Sequence, residues 1–598
     1  MSTSEAPPPA PTAAEGPSAA GASAALAPRA RGRAALLALF SPGALPTTLA
    51  LAAATALVAW PLLGAAFLPF VDYPQHLGTI AAIHGQGDPR FSPYFVVEYA
   101  RTQYLVPYVL GDWLAYLFGV EGSGRATAVL GVATLPLAVA FWLREHGRPA
   151  ILGAASAGIA LHMYVFWGFL NYAMGMVVAL LALTALARLA REPDARHAAL
   201  AATLGLVCFY THAQLYAWMG LAAIVQLAAM SPALGRSTAL RALAASVLAA
   251  IPSIAGAIVW IRLSGVIEHG EAGARSGHAE QVEHAPAIFS AVHETVRSWL
   301  DHSFGVYHDG SGEQLAVGFF AVIGLLIALR GGRAGSSAPV LDEAAPRPVP
   351  TTSSLRARLW ARAPARAPVR SHAPELVLAL TFAAYLFAPF SYRMIEPINH
   401  RFLPLALALL PALGPTATLA LRARWLVATA TLALAVATGT VHRAHFVETD
   451  EEMGELADAL AYTEPGHRLL GLVYDAQSRV VRAPIYLHAH QYYQARVGGL
   501  ACFSFVEFPK SPVQYRAGAE PPPFPPRFEW EPTRYDHHVW GDAFDYWLVR
   551  HEPHRSPPRI FRSPSPSGAA EPVQVVQTDR WTLFATPSLR GAEGGRAR

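Results

Sequence analysis

Asp72 and His76 are the residues whose type and spacing best suit chemistry. They fall in Val71-Asp72-Tyr73-Pro74-Gln75-His76, directly after the first long apolar segment. Charge at the mouth of a membrane-spanning helix is costly and tends to be functional. Four residues apart, the two side chains share a face if the segment starts a helix, with Tyr73 and Gln75 beside them. A carboxylate there can take a proton from an attacking hydroxyl or hold a divalent cation. The plain alternative is a helix-end charge that only marks the interface.

The same stretch carries Asp88, Glu98, Arg101 and Asp112. Acids that converge can share a metal or divide acid and base roles, but sequence spacing does not establish convergence. A second constellation is Glu396-Pro-Ile-Asn399-His400-Arg401-Phe-Leu-Pro404, with Arg393 just before it. Arginine forks two hydrogen bonds onto phosphate oxygens, and a helix N-terminus adds N–H donors and a positive dipole end. A lipid-phosphate site suits this pattern; snorkelling to ordinary headgroups is the alternative. Asn171-Tyr172 and His212-Ala-Gln214-Leu-Tyr216 lie at turns of helical hairpins and can line a polar site, or simply satisfy the turn. Between 263 and 312 the chain holds His269, His278, His284, His293, His302 and His308, beside Glu268, with no compact zinc spacing. No phosphate-binding glycine loop, kinase signature or nucleophile elbow is present.

The elements that must position these residues are membrane helices. Of 598 residues, 53% are hydrophobic and 14% charged, with a mean hydropathy of +0.30. A soluble domain carries about 25% charge, so this is a polytopic membrane protein. The net charge of +4 and pI near 9.0 do not indicate nucleic acid, because the basic residues are nearly all arginines and cluster in short loops between apolar segments. Spans of about 20 apolar residues fall near 46–68, 125–143, 149–168, 171–190, 198–212, 213–230, 240–262, 313–329, 374–392, 401–420 and 425–442, about eleven in all. Segment 104–119 is apolar but short, and contains Asp112.

Loop charge decides its role. If 104–119 lies along the outer surface, Arg144, Arg148, Arg188, Arg191, Arg196, Arg236, Arg241, Arg330, Arg422 and Arg424 all fall inside. If it spans, they fall outside. The positive-inside rule selects the first arrangement, making 104–119 a juxtamembrane helix and 69–124 a long external loop. Residues 1–45 form a disordered cytoplasmic N-terminus anchored by Arg29, Arg31 and Arg33, and 330–373 an unstructured cytoplasmic linker. The membrane domain covers 46–442. The tail 443–598 reads as a small extracytoplasmic α/β domain. Thr449-x-x-Glu452 there opens a helix to about 463, strands follow at 469–474, 545–550, 572–577 and 581–585, and 520–533 is a Pro-rich loop. Cys208 and Cys502 are not expected to form a disulfide.

This arrangement resembles the GT-C superfamily of integral membrane glycosyltransferases. The residues that carry it are Asp72 after the first span, the external loop with helix 104–119, Gly124-Arg125-Ala-Thr-Ala, His400-Arg401-Phe-Leu-Pro and the soluble tail. The chain departs from the family in lacking an acidic neighbour to Asp72, and in keeping only Tyr104-Leu-Val-Pro107-Tyr108 and Arg125-Ala-Thr-Ala of two frequent elements. The resemblance implies a mainly helical fold, a lipid-linked sugar donor and an extracytoplasmic acceptor, in a bacterial inner membrane. It implies Asp72 as base or metal contact and Arg401 as the phosphate contact. The residue pattern itself adds His76 as a second catalytic candidate, with Arg393, Glu396, Asn399, His400, Tyr73, Gln75 and Arg101 expected around the substrate. Two other readings are a multi-span transporter or flippase, and a non-catalytic membrane scaffold. A transporter would place charges at the bilayer midplane; here they gather near one face.

Overall fold

The computed structural model describes residues 41, 43–264, 287–330, 370–392, 396–508, 511–525 and 527–589. The expectations for the N-terminal segment, the 330–373 linker, Arg393, Glu268, His269, His278 and His284 lie outside these residues or almost wholly so.

The membrane part comprises α1 (Leu45–Gly64), α2 (Tyr73–His84), α3 (Leu105–Val132), α4 (Leu135–Glu145), α5 (Leu170–Arg191), α6 (Ala195–Thr211), α7 (Ala213–Leu234), α8 (Arg236–Leu263), α9 (Ser311–Arg330), α10 (Ala373–Phe387), α11 (Phe402–Leu409) and α12 (Leu421–Met453). Among the described residues, seven helical stretches are long and apolar enough to cross a bilayer. Three further apolar helices, Ala150–Ile159, α10 and Phe402–Leu413, are shorter. The expected span 149–168 is instead a 3₁₀ helix over Ala150–Ile159 followed by the short helix Met163–Phe166, both packed inside the bundle. A 3₁₀ helix rises about 2 Å per residue, so ten residues cover about 20 Å.

Segment 104–119 forms the first half of α3. Counted with α4, this stretch is a 41-residue apolar run. At 1.5 Å per residue that is about 60 Å, twice the hydrocarbon thickness, so it cannot all span. Gly119, at φ 68° and ψ 175°, breaks it. Before the break Trp113, Tyr116, Leu117 and Phe118 stand exposed, Tyr116 and Leu117 at 74%. An exposed aromatic face suits a helix lying at headgroup depth.

The two ends of the bundle differ in charge. At one end Glu145 holds Arg188 (2.7 Å) and Arg191, and Glu375 holds Arg148 (2.5 Å) and Arg330 (3.0 Å). Four of the arginines used to assign loop sides, Arg148, Arg188, Arg191 and Arg330, therefore share an end. The other end carries α2 and the C-terminal domain. That domain is a five-stranded mixed sheet of β2 (His467–Val473), β3 (Gly499–Ala501), β5 (Tyr546–Arg550), β6 (Val573–Gln577) and β7 (Trp581–Ala585), ordered β3-β2-β5-β7-β6. The pairs β3–β2 and β2–β5 are parallel, and β5–β7 and β6–β7 antiparallel. Four of these strands coincide with the expected ones. The expected helix at 449–463 does not exist: α12 continues unbroken to Met453, and only Leu456–Leu460 follows as a helix. Glu452 makes no capping box. Its carboxylate accepts from Ser478 Oγ (2.5 Å), Arg479 N (2.8 Å) and Tyr486 Oη (2.9 Å), tying the end of α12 to the domain.

A second, two-stranded ribbon pairs β1 (Phe95–Val97) of the first loop with β4 (Val513–Tyr515) of the tail, Phe95 opposite Tyr515. Beneath it Ile80, Ile83, Phe91 and Tyr108 share a core with Leu470, Leu500, Phe528 and Trp547. The first loop and the C-terminal domain are thus one packed unit. Both cysteines are free and buried.

Candidate functional site

Asp72 occupies the N-cap position of α2, yet its side chain caps no backbone N–H. Pro74 in the first turn removes one N–H that would otherwise want a partner. The carboxylate is left to face the C-terminal domain, where Asp72 Oδ1 lies 3.1 Å from His488 Nδ1. The other imidazole nitrogen of His488 is 3.5 Å from Glu529 Oε2, an ion-pair distance rather than a close hydrogen bond. His488 is buried. Burial alone would push the imidazole down, but its contacts with Asp72 and Glu529 outweigh this and raise it to about 10. His488 is therefore an imidazolium at neutral pH. Its charge in turn overcomes the burial of Glu529 and holds that carboxyl below the usual range. Neighbouring His490, buried and facing this cation, is pushed down to about 4.

His76 lies one turn from Asp72, as its spacing requires. Its Nε2 is 3.0 Å from the Gly168 carbonyl and its Nδ1 3.0 Å from Tyr108 Oη. Burial holds it below the ordinary histidine value, so Nε2–H donates to Gly168 and Nδ1 accepts from Tyr108. Both nitrogens are occupied, which leaves none for a substrate. Tyr73 is buried, with its hydroxyl 3.4 Å from the Glu121 carbonyl. Gln75 is buried, and its Oε1 has no protein partner among the described residues. The other charges of the loop do not gather here. Asp88 pairs with Arg90 (2.8 Å), Glu98 with Arg101 (3.2 Å) and Asp112 with His84 (2.9 Å).

Arg401 is the N-cap residue of α11. Its guanidinium lies 4.3 Å above the Phe169 ring and donates from Nη2 to the Glu396 carbonyl at 3.0 Å. Its Nε is buried with no protein partner among the described residues, and so are Asn399 Oδ1 and His400 Nε2. Asn399 Nδ2 donates to the Tyr385 carbonyl (3.2 Å), and the His400 ring stacks on His302 at 3.6 Å. Tyr172 Oη donates to the Arg401 carbonyl, and Gln214 to that of Ile398 (2.8 Å). The His212 ring sits 5.3 Å from that of Tyr172, and Tyr216 is paired with Ser253 (2.9 Å).

One turn joins the two clusters. Gly168, at φ 88°, packs so tightly on Asp72 that a Cβ would lie 2.5 Å from the Asp72 nitrogen. The next residue, Phe169, is the one under Arg401. Asp72 and Arg401 therefore flank a two-residue turn, close enough for the Asp72 charge to act on the guanidinium. An open cavity of about 510 Å³ lies instead at the far end of α2, among His84, Arg90, Phe118, Glu121 and Arg496.

Among the described residues Asp72 has one ligand-type neighbour, His488, while Glu529 lies against the opposite nitrogen of that imidazole. Among the described residues three ligand atoms converge only at Glu192, Asp194 and His197, at the α5–α6 turn. That turn is about 33 Å of helix away from Tyr172. Two carboxylates on opposite nitrogens of one imidazole do not converge on a common point, so the residues at Asp72 do not make a metal site.

Sequence reasoning missed His488 and Glu529. The available signal was Leu487-His488-Ala-His490-Gln491-Tyr492-Tyr493, a polar and aromatic run with no surface-loop character.

No family sequence profile and no curated protein matches this chain. Among solved structures it is similar to ArnT from Cupriavidus metallidurans in the apo state, with a TM-score of 0.50 and 12% identity. The match covers 90% of this chain and 98% of that one. A structure of the same protein bound to undecaprenyl phosphate aligns with a TM-score of 0.49. At this identity the likeness is one of fold.

Proposed function

We propose that this integral membrane protein is a GT-C-type glycosyltransferase moving a sugar from a polyprenyl-phosphate carrier to an extracytoplasmic glycan, lipid or protein. The observation that carries this reading is the Gly168–Phe169 turn, which sets a carboxylate on one side and, on the other, a buried arginine whose Nε has no protein partner among the described residues. The ArnT-like fold supports it. In this reading the C-terminal domain and the Asp72 end of the bundle face the periplasm of a bacterial inner membrane.

The chemistry follows from the charges. Asp72 keeps one oxygen on His488 and uses the other to accept the proton of the acceptor hydroxyl or amine. The freed lone pair attacks the anomeric carbon, the carbon–oxygen bond to the lipid phosphate breaks, and its electron pair leaves on the phosphate. Arg401 and the N-terminus of α11 hold that phosphate and stabilise its growing charge. His76, with both nitrogens occupied, holds the Gly168 turn in place. Arg101 pairs with Glu98 at the surface and is assigned no part. A transporter is disfavoured because the ionic groups gather at the two ends of the bundle rather than at its middle.

The test is to incubate the purified protein with labelled polyprenyl-phosphate sugars and membrane extract, beside its Asp72→Asn variant. Transfer by the native protein, reduced about 10²–10⁴-fold in the variant, is expected. Equal transfer by both, or none by the native protein, overturns the assignment.

A further inference from the structure

We infer that His488, carried by the C-terminal domain, is the positioning residue for Asp72: it clamps the carboxylate from one side while Glu529 holds the imidazole from the other. The inference rests on Asp72 being the base, and it gives the soluble domain a part in the reaction.

The geometry is specific. His488 ends the segment before the 3₁₀ helix Ala489–Gln491, and its Nδ1 faces two acceptors of the first loop. These are Asp72 Oδ1 at 3.1 Å and the Val71 carbonyl at 3.3 Å. One N–H thus grips both the side chain of Asp72 and the backbone just before it. The opposite nitrogen points to Glu529, a residue of the Pro-rich loop. The neighbouring scaffold is firmly held. Gln491 donates to the Cys502 carbonyl (2.6 Å), His490 Nε2 donates to the same oxygen (2.8 Å), and Gln494 donates to the Gly78 carbonyl of α2 (2.9 Å). A carboxylate that caps no helix would otherwise sample several rotamers. The imidazole selects one by holding Oδ1, so that Oδ2 is the oxygen offered to the acceptor.

The contacting atom is Nδ1, and this decides the variants. Asparagine places its amide nitrogen near the Nδ1 position, whereas alanine removes the donor. With the polyprenyl-phosphate sugar as substrate, His488→Ala is expected to lower kcat about 10²-fold, as for a misplaced reacting group, with little change in donor KM. His488→Asn should recover most of that loss, and His488→Ala should add nothing in an Asp72→Asn background. A His488→Ala enzyme with native kcat, or one no worse than His488→Asn, overturns the inference while the Asp72 assignment stands. A second readout does not need turnover. In ¹⁵N-histidine-labelled full-length protein, the His488 ring signals should change in Asp72→Asn and again in Glu529→Gln. Signals identical to native in both variants overturn the clamp even in a protein that transfers no sugar. Absence of transfer with the signals changed overturns the Asp72 reading and with it the catalytic part of His488, and leaves only the contact between them.

Discussion

The surroundings of Asp72 set the measurable consequences of altering it. Its near neighbour Gly168 sits in a backbone region that L-residues rarely adopt, and its missing Cβ makes room for the Asp72 backbone. Gly168→Ala should therefore lower stability by about 1–3 kcal/mol and displace the Asp72 main chain, read as a fall in Tm together with lost transfer. An unchanged Tm would show that the turn relaxes freely. Arg401 is fixed by a stacked ring and one carbonyl bond. Arg401→Lys keeps the charge but loses the planar fork, so donor KM should rise about tenfold while Tm moves little. Native KM in that variant would remove Arg401 from the phosphate.

At the scale of elements, α3 shows how one residue redirects a helix. Nothing lies within 4 Å of a Cβ at Gly119, so the demand for glycine there is conformational only. Gly119→Ala should cost about 1–2 kcal/mol through backbone strain alone, measured as a shift in thermal or denaturant midpoint. The same substitution at Gly220, helical and equally open, should cost nothing or stabilise slightly. Equal effects at both sites would mean that the kink is not imposed by Gly119. The ribbon β1–β4 is the counterpart in the soluble part. Each strand has three residues, too short for periodicity to reveal, and each exists because the other pairs with it.

The whole molecule joins a membrane bundle to a soluble domain through buried ionisable groups, and its stability should depend on pH accordingly. His488, raised to about 10, contributes fully below about 6.5 and loses that contribution as pH rises through 10. The Tm of the native protein should fall across that window. His488→Gln should flatten the curve between about 6.5 and 10. A native Tm that climbs from pH 7 to 10 would contradict the buried imidazolium.

The membrane class, the long spans, the shared end of the loop arginines, four strands of the tail and Asp72 and Arg401 as the residues to examine were all legible in the chain. Each rests on a local rule: apolar length, loop charge, alternation, or the cost of a charge beside lipid. The short helices were less legible, because a segment buried among other helices need not match the bilayer thickness. The course of α12 past Thr449 was misread because a capping pattern matters only where a helix begins. That Asp72 meets His488, 416 residues along the chain, was decided by tertiary structure alone. So were the ribbon between the first loop and the tail, the pairing of the loop's other acids, and the turn that sets Asp72 beside Arg401. These contacts are long-range pairings of polar groups, whose partners are chosen by packing of the elements that carry them and leave no periodic trace in sequence.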